Sequence, residues 1–409
     1  MRPPHLPRAS APALATLAAV FFLVPVSGLW PAGTLAPAEL VAQSVGSQSS
    51  YFPPPGSWER RTPESVGMDP SLLAEAVRFI QGAENPLPRD LSLSHWMSWA
   101  REPMDSPVGP FTHRGDVSGF VIKDGYIVAE WGDTKAVEMT FSVTKSFLSS
   151  TVGLLWDRGY IPDLHAPVRE LVRTGDFDSP HNRKITWDHL LRQTSDWEGE
   201  LWGKPDWVDR PGQDLVAHYN RERDEPGTVY KYNDVRVNLL GWAALNAYRR
   251  PLPQLLREEI MGPIGASETW RWHGYETSWA ELDGQRIQSV SGGGHWGGGM
   301  FISAEDLARF GYLTLRGGRW EDREILSSEW LAMARTPGPA NDAYGFMNFF
   351  LNTGGRSIPG APHTAYTHRG AGNNIIYVDE ENDLLLVMRW VQGGAVNDFI
   401  GQVLESLER

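Results

Sequence analysis

The chain has no cysteine in its 409 residues, so disulfides, thiolate metal sites and a cysteine nucleophile are all excluded. Its stability must come from a packed core, and 41% hydrophobic content is enough to build one. Positive charge is also short, with 37 Lys and Arg against 50 Asp and Glu and a formal charge of −13. That balance argues against nucleic acid and anionic membrane surfaces as partners. No H-E-x-x-H is present, and His218, His273 and His295 fall at no metal-ligand spacing, so neither a metal nor another cofactor is expected. There is no G-x-S-x-G elbow and no internal repeat.

Among what is present, the N-terminus stands apart. Arg2 and Arg8 precede an apolar run from Ala11 to Leu29, and small residues follow at Ala36, Ala38 and Ala42. Residues 1–42 therefore read as an export signal cut after Ala38 or Ala42, which places the mature protein in the periplasm or the medium. Membrane contact is expected only if that segment stays uncleaved. Residues 43–63, rich in Ser, Gly, Pro and Gln, read as a linker or extended arm. Asp69-Pro70 then opens a helix with Leu72, Leu73, Ala76, Val77 and Ile80 as its apolar stripe. Two strand-like runs flank Asp124-Gly125, a strong hairpin signal. A second hairpin-like pair, NIIYVDEENDLLLVMRWV, precedes a closing helix marked by Val396, Phe399, Ile400, Val403, Leu404 and Leu407. The expected fold is α+β: an antiparallel sheet from both chain ends (64–164 and 288–409), flanked by helices, with a mostly helical insertion at 165–287.

The stretch TFSVTKSFLSSTVGLLWDRGY, residues 140–160, sets Ser142 three residues before Lys145. Phe147, Leu148, Thr151, Val152 and Leu155 repeat at helical spacing, with Thr140 as the expected N-cap and Gly159 as the C-cap. One helix face would then carry a hydroxyl beside an amine, a nucleophile next to its own base. Only six residues are lysine, yet an S-x-x-K arises by chance easily enough that other motifs must support it. Two do. Tyr232-Asn233-Asp234 stands just before a helix that carries Val237, Leu240, Gly241 and Leu245, and His368-Arg369-Gly370 stands just before a strand. The run SGGGHWGGGM lacks the strand-loop-helix setting of a phosphate loop and reads as a turn with close backbone packing. Trp197, Trp202 and Trp207 lie in a loop-like segment and are candidates for either an aromatic wall over a substrate or core packing.

Together these three motifs resemble the serine β-lactamase and penicillin-binding-protein superfamily, in its class C-like branch. TWDHLLRQTS and GGGMFISAEDLARFG are also similar to segments of that branch. The resemblance runs over about residues 60–405 and implies the β-lactamase/transpeptidase-like fold. It implies Ser142 as the acylated nucleophile, Lys145 as its base and Tyr232 as the proton shuttle. The backbone N–H groups of Ser142 and Ala371 would form the oxyanion hole, and His368, Arg369 and Gly370 would line the substrate. Two departures matter: Asp234 replaces an amide, and Arg369 replaces a small hydroxyl residue. Asp234 either caps the helix or acts on Lys145; Arg369 either grips a substrate carboxylate or pairs with a neighbouring acid. Asp234, Trp197 and Trp202 complete the expected substrate-binding set. The Ser-Val-Thr-Lys-Ser-Phe stretch looks most like 6-aminohexanoate-dimer hydrolases and family VIII carboxylesterases, so the expected substrate is a small linear amide or ester. A β-lactamase, a D-Ala-D-Ala carboxypeptidase, and a non-catalytic module binding cell-wall peptides or a partner are the alternatives. Nothing in the sequence sets the oligomeric state.

Overall fold

The computed structural model describes residues 51–408; the expected export signal and the first part of the expected linker lie outside them. The first helix, α1 (Pro70–Gln81), starts as Asp69-Pro70 requires: the Asp69 carboxylate accepts the N–H groups of Ser71 (2.8 Å) and Leu72 (3.0 Å). Leu73, Ala76 and Ile80 are buried, while Leu72 faces outward.

β1 (Ser118–Lys123) and β2 (Tyr126–Trp131) form a hairpin whose turn residues, Asp124 and Gly125, have φ of 53° and 87°. Two successive positive φ values are what a twist-matched two-residue turn needs. Next come α2 (Thr144–Asp157), α3 (Asp234–Tyr248) and α4 (Ala304–Leu315). The chain ends with β3 (Phe350–Leu351), β4 (Tyr366–Gly370), β5 (Asn374–Asp379), β6 (Leu384–Arg389) and α5 (Ala395–Glu405). The strands form one antiparallel sheet in the order β3-β4-β5-β6-β1-β2. The last of the described strands thus sits in the middle and pairs with the first, Ser118 opposite Arg389 and Lys123 opposite Leu384.

Strand alternation splits the sheet's side chains between two cores. Val121, Ile375, Tyr377, Leu384, Leu386 and Met388 face α1 and α5, where they meet Leu73, Ile80, Phe399 and Ile400. Phe120, Ile122, Ile376, Val378, Leu385 and Val387 point the other way, into a larger core shared with α2, α3 and α4. That core continues into residues 165–287, whose helices include Trp187–Leu191, Leu215–Asn220 and Leu252–Leu256. Burial on both faces explains why β5 and β6 read as continuous apolar runs.

Residues 51–57 lie along this body. Arg309, buried on α4, donates to the carbonyls of Pro53 (3.0 Å), Pro54 (2.8 Å) and Ser57 (3.0 Å) and fixes them. Among the described residues, no helix is long and apolar enough to cross a membrane.

Candidate active site

Ser142 belongs to a single 3₁₀ turn, Phe141–Val143, that leads into α2, so the helix starts later than its sequence pattern suggests. Thr140 makes no side-chain cap, and α2 is buried on every side from Thr144 to Leu155 instead of along one stripe. The helix lies between the sheet and the rest of the large core, which leaves it no solvent face. Phe141 holds φ at +48°, a conformation costing about 1–3 kcal/mol for a bulky residue. Its ring is wedged among Trp99, Phe111 and Trp390, with centroids 6.3–6.5 Å away. The wedge buries Phe141 and leaves Ser142 partly exposed.

Two strands hold this turn in place. Thr140 N–H donates to Met300 O (2.9 Å), and Met300 N–H donates to Thr144 Oγ1 (2.9 Å), tying the turn to the strand Gly299–Ile302. On the other side runs the end of β4. A Cβ added to Gly370 would lie 2.2 Å from Thr140 O and 3.2 Å from Ser142 N. Only glycine lets the strand come this close, and the approach brings Ala371, the next residue, to the turn as well.

Lys145, fully buried in the first turn of α2, places Nζ 2.8 Å from Ser142 Oγ and 2.7 Å from Asp234 Oδ1. Burial pushes the ammonium well below its ordinary pKa, and the Asp234 carboxylate opposes without reversing this. A neutral amine has two N–H groups and one lone pair, so it can donate to Asp234 while its lone pair faces Ser142. The Tyr232 ring lies 4.6 Å from Lys145 Nζ, with its phenol beside Ser142. Burial, followed by the Asp234 charge, pushes the phenol far above its ordinary range, so it rests protonated. Asp234 does not cap α3; Asn233 does, accepting Arg236 N–H at 3.0 Å. The freed Asp234 carboxylate reaches Lys145 instead. Burial would raise its pKa, but Lys145 and Arg210 hold it well below the usual carboxylate range.

The expected substrate-lining residues separate. His368 is wholly buried: its Nδ1 lies 2.9 Å from Ser146 Oγ and 3.2 Å from Asn348 O, among the rings of Phe310, Phe349 and Tyr366. Alternation along β4 turns this side chain into the core, so it supports α2 from beneath and lines no cleft. Arg369 points the opposite way, half-buried, with Nε 2.7 Å from Thr367 Oγ1 and the guanidinium 5.6 Å from the Phe350 ring centre. It has no salt bridge among the described residues, and burial lowers its pKa with no acid opposing. Trp197 is not an aromatic wall. It sits in the large core with Nε1 donating to Asp176 O at 2.7 Å. Trp202 is half-buried, edge-on to Trp242 and Tyr275. The glycine-rich run packs onto the buried pair: a Cβ on Gly293 would come within 1.7 Å of Asp234 Oδ1 and 2.3 Å of Lys145 Nζ.

One cluster beside the site has no sequence signature. Arg210 donates to Asp234 Oδ2 (2.9 Å) and to Asp209, and its other terminal nitrogen lies 3.3 Å from His295 Nδ1. His295 Nε2 in turn lies 2.6 Å from Glu102. Ligand atoms of Glu102, Asp209 and His295 gather within 4.8 Å, a group that could hold a cation. The Arg210 guanidinium already supplies positive charge there. Its residues are spread over the sequence from 102 to 295, and no local spacing could have grouped them.

The six-stranded antiparallel sheet, with the Ser142 turn and the buried Lys145 helix against it, is the β-lactamase/transpeptidase-like fold, a fold of serine hydrolases. The chain belongs to the Beta-lactamase family, whose model matches residues 111–396. An Escherichia coli O157:H7 protein named "Putative D-alanyl-D-alanine carboxypeptidase" is 23% identical over 339 residues, 66% of this chain and 77% of that one. Two solved structures share the fold. "Putative 6-aminohexanoate-dimer hydrolase from Bacillus anthracis" has 18% identity and a TM-score of 0.54, with 71% of this chain and 80% of that one covered. A family VIII carboxylesterase has 16% identity and a TM-score of 0.52, with coverage of 71% and 92%.

Proposed function

We propose that the protein is an exported serine hydrolase that cleaves a linear amide or ester through an acyl-enzyme on Ser142. The observation that carries this reading is the contact of Ser142 Oγ with a wholly buried Lys145 Nζ at 2.8 Å, with the Tyr232 ring 4.6 Å from the same amine. Lys145 takes the Ser142 proton as Oγ attacks the carbonyl carbon. The oxyanion is held by the N–H groups of Ser142 and Ala371. The proton passes through Tyr232 to the leaving nitrogen or oxygen as the C–N or C–O bond breaks. Water then attacks the ester, losing its proton by the same route, and Ser142 is restored.

Arg369, which has no acid partner among the described residues, is assigned to a carboxylate on the substrate, a planar anion that a guanidinium can grip with two hydrogen bonds. This same assignment favours a second reading, a D-alanyl-D-alanine carboxypeptidase, whose substrate ends in a carboxylate.

Intact-protein mass spectrometry tests both. The parent should gain one fluorophosphonate adduct that Ser142→Ala does not, and should turn over a short p-nitrophenyl ester with no lasting penicillin adduct. A lasting penicillin adduct on Ser142 moves the assignment to the carboxypeptidase reading. No adduct from any reagent ends the catalytic assignment and leaves a binding module. Under either enzymatic reading, Arg369→Ala should raise KM for a carboxylate-bearing substrate about tenfold or more over its neutral analogue.

A further inference from the structure

Putting a carboxylate against a lysine that must act as a base is a conflict, because an anion at 2.7 Å favours the ammonium. The structure contains a counterweight. Arg210 reaches the other oxygen of Asp234 at 2.9 Å and also binds the fully buried Asp209, whose Oδ2 accepts the Asp234 backbone N–H. Its guanidinium lies 4.9 Å from the centre of the Tyr232 ring, the ring that Lys145 also faces. Arg210 takes this position with φ at +51°, a backbone conformation unfavourable for a side chain of its size. The neighbours on both sides of the carboxylate therefore determine where it stands, and the strained backbone is tolerated to bring the guanidinium there.

We propose that Arg210 is a positioning residue of this site, sharing the charge of Asp234 so that Lys145 can give up its proton and accept the one from Ser142. The inference rests on the serine-hydrolase reading. The groups facing Lys145 are Ser142 on its own helix turn, Tyr232 and Asp234 before and at the start of α3, Arg210 from the loop 209–212, and Tyr344 from the loop before β3. Asp234 faces His295 and Asp209 in addition. Of these, Arg210 is the cation that reaches the Asp234 carboxylate, while Asp209 meets Asp234 at its backbone N–H and is itself paired with Arg210. With Arg210 in place, half of the carboxylate's hydrogen-bonding capacity and much of its field are directed away from Lys145. Without it, the whole charge falls on the ammonium, and the nearby cation that disfavours that ammonium is lost too.

The rate of fluorophosphonate labelling of Ser142, measured from pH 5 to 10, reads the protonation of its base without depending on a substrate. Labelling rises with pH as Lys145 becomes neutral. Arg210→Gln should move that rise up by about one pH unit, so that the loss below the rise exceeds the loss above it by about tenfold. Arg210→Lys, which keeps the charge, should leave the rise within a few tenths of a unit of the parent. Asp234→Asn should move it the opposite way. Equal loss at every pH in Arg210→Gln, or an unmoved rise in Asp234→Asn, overturns the role given to Arg210; the second variant decides even if the first does not fold. Failure of the parent to label at any pH overturns the Ser142 reading itself, so the two failures are distinct.

Discussion

Burial sets the chemistry of individual side chains in this protein more strongly than their nominal charge does. Lys145 at the proposed site is one example and His368 in the core is another. Burial lowers the His368 pKa from 6.5 to about 4, with the Asn348 carbonyl opposing weakly. The ring is neutral, with its Nδ1 proton directed at Asn348 O and Ser146 Oγ and a bare Nε2 among aromatic rings. The sign of its linkage follows. Between about pH 6.5 and 4 the unfolded chain binds a proton at this residue and the folded chain does not, so His368 supports stability above that window and loses this as pH falls through it. Thermal midpoints measured from pH 7 to 4 should therefore fall more steeply for the parent than for His368→Gln. Parallel curves would refute this account. Sequence could not reveal His368's place, because a histidine ahead of Arg369-Gly370 reads as substrate-lining until strand alternation turns it inward.

At the scale of elements, three pieces of chain far apart in sequence converge on one point: the turn before α2, the start of α3 and the glycine-rich run. Gly293 is where they touch. Gly293→Ala would force Asp234 or Lys145 aside by about an ångström, and a misplacement of that size costs about a hundredfold in catalysis. Gly401→Ala, on α5 with nothing within 4 Å of the added carbon, should leave kcat/KM unchanged and raise stability by about 0.5–1 kcal/mol. Ester turnover and thermal melting of the two variants distinguish the cases. Equal activities would show that the Gly293 contact is slack. Elements like these were legible where a rule is local. Asp69-Pro70 marks a helix start, Asp124-Gly125 marks a hairpin, and Ser142 and Lys145 at i, i+3 come into contact. They were illegible where the partner is remote: nothing near Arg210 points to Asp234, 24 residues away, and nothing around Trp197 shows that a core will close over it. The start of α2 was misread for a related reason, since Phe141 takes a positive φ only because Trp99, Phe111 and Trp390 box it in.

For the whole molecule, the described chain begins as an arm held by Arg309, after the segment read as an export signal. Protein recovered from the periplasm or medium of an expressing bacterium should begin at Glu39 or Gln43, as N-terminal sequencing would show; an intact Met1 in that fraction would end the cleavage reading. The sheet order has another consequence. β6, the last of the described strands, is the strand that joins the early hairpin β1-β2 to the late strands β3, β4 and β5 within the sheet. Its terminal Arg389 also clamps the carbonyls of Glu138 (3.1 Å) and Met139 (3.0 Å), just ahead of Ser142. A chain lacking Leu384–Arg389 keeps Ser142 and Lys145 but not the strand that ties the two halves of the sheet together. Synthesis has to pass Leu384–Arg389 before that sheet can close around the Ser142 turn, and a chain cut ahead of β6 should fail to label with a fluorophosphonate.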